Sequence, residues 1–374
     1  MSPTPARRAG SGHPGRRVRR AWPHSVPARR CSYPDGVRLP RVTPRTYRSI
    51  TLAMLVALVV ITVVGAGVRL TESGLGCSTW PTCDGDSFTP RSASDSHAMI
   101  EFLNRLLNAA VGLLAIATVV GAQMREPRRP DLVRWAVGVF AWVLSNGLVG
   151  ALVVWLHLSP VSVIGHFILA LGAIWSALVL HRLAGEDRAI DRRDRRPAAT
   201  PTFVAWTKVL LGASALVLFT GTLVTGSGPH AGDERADRLA LEVGTVARVH
   251  GLSMIVFLLV TVVVIRMAHR GDASKVVVQR THELLVVLIA QATIGYWQYF
   301  TGVPAVLVAF HVLGSALVWV AVLRVWLSLH SLPAGAGDAA GVADDVTAPP
   351  IPAGGDDLDV SGPRGDDMTV DARQ

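Results

Sequence analysis

The sequence predicts an all-α polytopic membrane protein with eight transmembrane helices, arranged as two tandem four-helix bundles related by pseudo-twofold symmetry. Three observations carry this prediction. Half of the 374 residues are hydrophobic and only 17% are charged, a balance that soluble domains rarely show. Apolar runs recur near 49–68, 98–123, 133–156, 161–181, 203–225, 244–267, 282–299 and 304–328. Each run can cross a hydrocarbon core of about 30 Å. Finally, a pattern of amide, glycine and histidine repeats 145 residues apart.

The net charge of +9 is distributed by topology, not as a nucleic-acid surface. Arginines crowd residues 1–48. Basic residues return at Arg125, Arg128, Arg129 and Arg134, then from Arg182 to Arg196, then at Arg266, Arg270, Lys275 and Arg280. These are the N-terminus and alternate loops, which the positive-inside rule assigns to the cytoplasm, with both termini there. The domain reading follows. Residues 1–48 are a disordered basic extension and 49–181 an N-terminal four-helix half. Residues 182–202 are a basic linker, 203–330 a C-terminal half and 331–374 a disordered acidic tail. The arginine pairs of the extension are not followed directly by an apolar segment, so no cleaved export signal is expected.

In the repeat, Asn146 precedes His166 by 20 residues and Gln291 precedes His311 by 20, and Gly150 and Gly295 follow the amides by four. The ends of spans one and five also echo each other, Thr71-Glu72-Ser73-Gly74 against Thr225-Gly226-Ser227-Gly228. Duplication accounts for the matched spacing, whereas general likeness among apolar helices would account for only part of it. Four spans restore the starting side, so the halves share one orientation about an axis along the membrane normal.

His166, His250 and His311 lie about two turns into apolar runs, where an ionisable ring is a functional-site candidate. His250 and His311 fall at similar depth on spans six and eight, the arrangement that bis-histidine heme ligation requires. The plainer alternative is a core histidine hydrogen-bonded to neighbouring helices. His157, His181 and His330 at helix ends, and His97 and His230 in outward loops, are expected at the surface. The N-terminal half has Asn104 where the C-terminal half has His250, and it adds Glu101 and Arg105. Four residues apart, these two either neutralise each other or divide the work. In the second case Glu101 handles protons, while Arg105 or Arg69 holds an acidic part of a ligand such as a heme propionate. Cys77 and Cys83, on the outward side, suit a local disulfide, with a reduced redox pair or a metal site as alternatives. Cys31 is expected as a free thiol.

These residues resemble the heme A synthase family, membrane enzymes that convert heme O to heme A for cytochrome oxidase. The resemblance covers about residues 49–328. It rests on the loop Gly65-Ala66-Gly67-Val68-Arg69-Leu70-Thr71-Glu72-Ser73-Gly74-Leu75-Gly76-Cys77, continuing through Trp80-Pro81 to Cys83. It also rests on a Glu-x-x-His-Arg motif, met here by Glu101, Asn104 and Arg105, and on His166, His250 and His311. Asn104 departs from the motif.

The resemblance implies oxidation of a porphyrin methyl group to a formyl group through a hydroxymethyl stage. It implies a resident heme b on the iron ligands His250 and His311, relaying electrons. The substrate heme O would sit against His166, with Asn104, Arg105 and Arg69 around it and Glu101 as the catalytic acid–base or electrostatic residue. Cys77 and Cys83 would brace the loop or join redox steps. Heme O synthase and cytochrome oxidase assembly factors are the implied partners, the cell membrane is the location, and a homo-oligomer is compatible. An electron-transfer cytochrome b and a heme carrier without chemistry are the rival readings. The first predicts two saturated sites at different depths, and the second needs no Glu101.

Overall fold

The computed structural model describes residues 41–186 and 199–329. Cys31, His330, residues 1–40, residues 187–198 of the basic linker and the acidic tail lie outside the described residues. The described residues form eight long α-helices and no strand. These are α1 (Pro44–Leu70), α2 (Ser96–Met124), α3 (Pro130–Trp155), α4 (Pro160–Ala184), α5 (Pro201–Ser227), α6 (Val243–Met267), α7 (Lys275–Phe300) and α8 (Ala305–Ser328). A single π-helical turn, Ala268–Asp272, extends α6 until Gly271 turns the chain at φ +92°.

Helices of this composition satisfy every backbone group within one segment, which hydrocarbon demands. Their starts are marked in the sequence. The Thr43, Asp95 and Thr200 side chains accept from the backbone N–H groups of Thr46 (3.2 Å), Ala98 (3.1 Å) and Phe203 (3.3 Å). Prolines open α1, α3, α4 and α5, where no N–H is needed. Seven of the helices are long and apolar enough to cross a membrane, so the chain is a multi-pass membrane protein. The exception is α7, which carries Lys275, Arg280 and Glu283 in its first turns and Gln291 and Gln298 further on. It begins seven residues before the apolar run read from sequence. Likewise α1 takes in Pro44–Arg48, and Tyr47 is fully buried there.

Within the first half α1 packs on α2, α2 on α3, α3 on α4 and α4 on α1, and the second half repeats these contacts among α5 to α8. The halves meet along α1–α8, α4–α5 and α4–α8, where Trp319 Nε1 donates to the Leu171 carbonyl (3.0 Å). Each core is filled mainly toward the end bearing the basic loops: Tyr47, Ala122, Leu132 and Leu180 in one half, Phe203, Val264, Val277 and Val325 in the other. Buried residues of α7 stop at Leu288 and those of α8 begin at Ala316. In α4 only Ser162 is buried before Leu171. The histidines lie in these sparsely packed outer portions.

Candidate functional site

His250 is the eighth residue of α6 and His311 the seventh of α8, on helices running in the same direction. Their ring centroids lie 6.4 Å apart, with planes at 80°. Each ring rests on a glycine of the preceding helix. A Cβ at Gly221 of α5 would lie 3.1 Å from His250 Cε1, and one at Gly295 of α7 would lie 3.0 Å from His311 Cε1. Thr220 Oγ1 is 3.2 Å from His250 Nδ1 and 2.9 Å from Ser253 Oγ. Gln291 donates to the His311 carbonyl (2.9 Å), while His311 Nδ1 is buried without a hydrogen-bond partner. That orphaned nitrogen sets His311 apart from a hydrogen-bonded core histidine.

Whether heme fits here is a question of spacing and lining. An iron about 2 Å from each nitrogen, the usual metal–imidazole distance, would put two flanking ring centroids about 6 Å apart, as these are. An apolar cleft between α6 and α7 is lined by Met254, Leu258, Leu288, Ala292 and Tyr296. Met254 lies one turn beyond His250, and Tyr296 follows Gly295. The cleft includes neither ring; the two facing imidazole donors and their spacing are what fit a heme iron.

His166, the seventh residue of α4, has the same setting as His311. Asn146 Nδ2 of α3 donates to the His166 carbonyl (3.4 Å), and a Cβ at Gly150 would lie 3.3 Å from His166 Cε1. His166 Nδ1 is buried and unpartnered. The repeated amide, glycine and histidine thus form one device: the amide holds the histidine's carbonyl and the glycine makes room for its ring. On α2 the counterpart of His250 is Asn104, whose Oδ1 is buried without a partner. Gly67 of α1, aligned with Gly221 by the Thr-x-Ser-Gly echo, meets no protein atom within 4 Å of its would-be Cβ.

Glu101 and Arg105 are joined to the outer loop. Glu101, only 4% exposed, accepts from the Cys77 N–H (2.7 Å) through Oε2, while its Oε1 takes Arg105 Nε (3.1 Å) and Nη2 (2.5 Å). Arg105 also donates to the carbonyls of Thr79 (2.8 Å), Thr82 (2.9 Å) and Cys77 (3.4 Å). All of its nitrogens are engaged. Cys77 and Cys83 form a disulfide six residues apart, so the loop is closed on itself and fastened to α2. Its glycines allow the approach: a Cβ at Gly76 would strike the His97 carbonyl, and one at Gly74 would lie 3.0 Å from the Gly232 carbonyl. His97 faces this loop, with Nδ1 3.2 Å from Ser73 Oγ.

Arg69, at the outer end of α1, reaches the other half. Nη2 donates to the Thr225 carbonyl of α5 (2.5 Å), and Nε is buried with no partner. Of the two arginines read from sequence as carboxylate ligands, Arg69 therefore keeps an uncommitted donor and Arg105 does not. Thr220 and the ring-bearing role of Gly221 were not read from the sequence. A threonine 30 residues from its histidine carries no signal in one dimension.

The comparisons with known proteins bear on the same segments. The family of cytochrome oxidase assembly proteins denoted COX15-CtaA matches residues 48–232, which hold Glu101, Asn104, Arg105, His166 and the disulfide loop. The heme A synthase of Exiguobacterium sibiricum is 30% identical over 176 residues, 46% of this chain and 56% of that protein. That of Halalkalibacterium halodurans is 26% identical over 266 residues, covering 67% of this chain and 84% of that protein. The chain belongs to the heme A synthase family. It spans about half the length of the first of these relatives. The family match ends at residue 232, before His250 and His311. A protoheme IX farnesyltransferase of Haloarcula marismortui is also 34% identical over 76 residues, 20% of this chain and 16% of that protein.

Proposed function

We propose that the protein is a heme A synthase, oxidising one methyl group of heme O through a hydroxymethyl stage to a formyl group during cytochrome oxidase assembly. The observation that carries this reading is the inequality of two matched seats. His311 faces a second imidazole 6.4 Å away, whereas His166, seated alike, belongs to the half in which Asn104 holds the position corresponding to His250. A saturated iron suits a resident cofactor, and a half-open one suits a substrate.

In this reading His250 and His311 hold heme b, which when bound supplies one-electron exchange. Thr220 accepts the proton on His250 Nδ1 and so presents Nε2 as the ligating atom. His166 seats heme O in the N-terminal half. Arg69 Nε, buried and unpaired, takes a propionate. Glu101 and Arg105 serve the reaction through the disulfide loop, holding it over the outer end of α2 and keeping water from the reacting edge.

We read α7 as an eighth span whose charged first turns lie at the interface, completing two tandem four-helix bundles about a pseudo-twofold axis. The basic residues Arg125, Arg128 and Arg129 after α2, and Arg270 and Lys275 after α6, support a cell-membrane protein with those ends and both termini on the cytoplasmic side. Heme O synthase and oxidase assembly factors are the partners this substrate implies.

The test is to express the full chain with a heme O synthase in cells lacking heme A, then identify the extracted hemes by chromatography and mass. Appearance of heme A or its hydroxymethyl precursor is expected. Heme O persisting unchanged beside properly inserted protein would overturn the reading.

A further inference from the structure

We propose that the N-terminal seat binds its heme through His166 alone, leaving an open coordination position on the side of Gly67, with Asn104 in place of a second histidine, that accepts a small exogenous ligand of the imidazole, cyanide or carbon monoxide class. This rests on the functional reading above, since it concerns the heme on His166.

The argument compares the two halves atom by atom. In the C-terminal half, the space in front of Gly221 is filled by the ring of His250, whose Cε1, Nδ1 and Nε2 lie 3.1, 3.5 and 3.8 Å from the would-be Cβ. In the N-terminal half, the corresponding glycine, Gly67, has no protein atom within 4 Å in that direction. The volume of one imidazole is thus built into α5 and α6 as a side chain and left unfilled by protein beside α1.

The residue that could have supplied the ring is Asn104. An amide is not among the axial ligands that hold heme iron, which are histidine, cysteine, methionine and tyrosine. Asn104 Oδ1 is nevertheless buried with no partner. Asn104 therefore stands where His250 stands in the other half without offering the iron a ring.

Neighbouring side chains do not close the gap. His97, two turns nearer the surface on α2, is hydrogen-bonded to Ser73, and its backbone is pressed against Gly76. Arg105 is fully engaged with Glu101 and the loop. Asn108, one turn inward, donates to the Asn104 carbonyl (2.9 Å).

The experiment uses full-length protein purified from cells that make heme O. Heme content per chain, electron paramagnetic resonance of the ferric state and carbon monoxide binding in the ferrous state are measured. The expected result is two hemes, one low-spin and inert to carbon monoxide, the other high-spin, binding carbon monoxide and turning low-spin on addition of imidazole. His166→Ala should remove the high-spin heme and leave the other. Asn104→His should fill the position from within, converting the second heme to low spin and abolishing both carbon monoxide and imidazole binding. Two low-spin hemes in the wild type, both inert to imidazole and carbon monoxide, would overturn the proposal while leaving the substrate seat intact. A single bis-histidine heme per chain under saturating heme O would overturn both the proposal and the substrate seat.

Discussion

The two halves of this molecule use the same support for a histidine and surround it differently. On α4 and α8 the ring stands on a glycine of the preceding helix, with an amide from that helix on its carbonyl. In the C-terminal half α6 sets a second ring 6.4 Å from His311, whereas α2 carries Asn104 at the corresponding position, with Glu101 and Arg105 bonded to the loop above it. The connection from α1 to α2, 71–95, is also longer than that from α5 to α6, 228–242, and carries the disulfide. On the proposed reading, one four-helix plan becomes a closed site or an open one through a single helix and the loop above it. The supporting helices α3, α4, α7 and α8 are left alone.

The most damaging way to test this contrast is to remove rings. His311→Ala should abolish the low-spin b-type spectrum and reduce heme A formation by more than about 100-fold, beyond the 10–100-fold typical of outer-shell partners. His166→Ala should reduce heme A formation as far while leaving that spectrum in place. Optical spectra of the two purified variants decide it. If both lost the same absorption, the halves would share one heme and the comparison would collapse.

The next effect falls on the N-terminal half alone. Arg105→Ala strips the partner from a nearly buried carboxylate, whose side chain is 5% exposed against 18% for Arg105. Breaking such a pair from one side costs about 3–5 kcal/mol. Glu101→Gln keeps an acceptor for the Cys77 N–H and should cost about 1–2 kcal/mol. Thermal unfolding in detergent should rank the two variants in that order. Equal losses would mean that Glu101 is not the buried charge the loop depends on, and its role would return to the chemistry.

Much of this contrast could be read from sequence, and what could not has a common cause. The apolar runs announced the helices because hydrocarbon rewards one composition over a fixed length, but they began at 49 and 203, later than the helix starts at Pro44 and Pro201. The spacing of Asn146, Gly150 and His166 was visible because all three lie on one hairpin of adjacent helices, where register along the chain becomes register in space. Glu101 and Arg105 were visible as a pair one turn apart. Their loop partners were not, since Thr79 and Thr82 reach Arg105 through backbone carbonyls, which any residue supplies. Thr220 was hidden for a similar reason, being one of several threonines on α5. The start of α7 was misplaced because Lys275, Arg280 and Glu283 interrupt the apolar signal without interrupting the helix.

Thr220→Val offers a smaller test, confined to the C-terminal half. It removes the hydroxyl at 3.2 Å from His250 Nδ1, worth about 1 kcal/mol. The low-spin heme should remain, with a shifted midpoint potential, and carbon monoxide binding at the other heme should not change. A potential equal to that of the wild type would remove Thr220 from the site.

The finest test uses single methyl groups. Alanine is favoured over glycine within a helix by up to about 1 kcal/mol, so Gly→Ala should stabilise wherever the new Cβ has room. At Gly67 no protein atom lies within 4 Å, and the substitution should raise thermal stability slightly in the heme-free protein. At Gly295 the Cβ would come to 3.0 Å from His311 Cε1, a ring whose position is also fixed by Gln291 on its carbonyl. There the propensity gain is offset by displacing the ring a few tenths of an ångström, and the low-spin spectrum should weaken. Gly150→Ala, at 3.3 Å from His166, should fall between them. The order Gly67, Gly150, Gly295, from harmless to harmful, follows from how close each glycine stands to an imidazole. If Gly67→Ala were as harmful as Gly295→Ala, a group would have to lie against α1 where the protein itself places none, and the two halves would differ less than their side chains indicate.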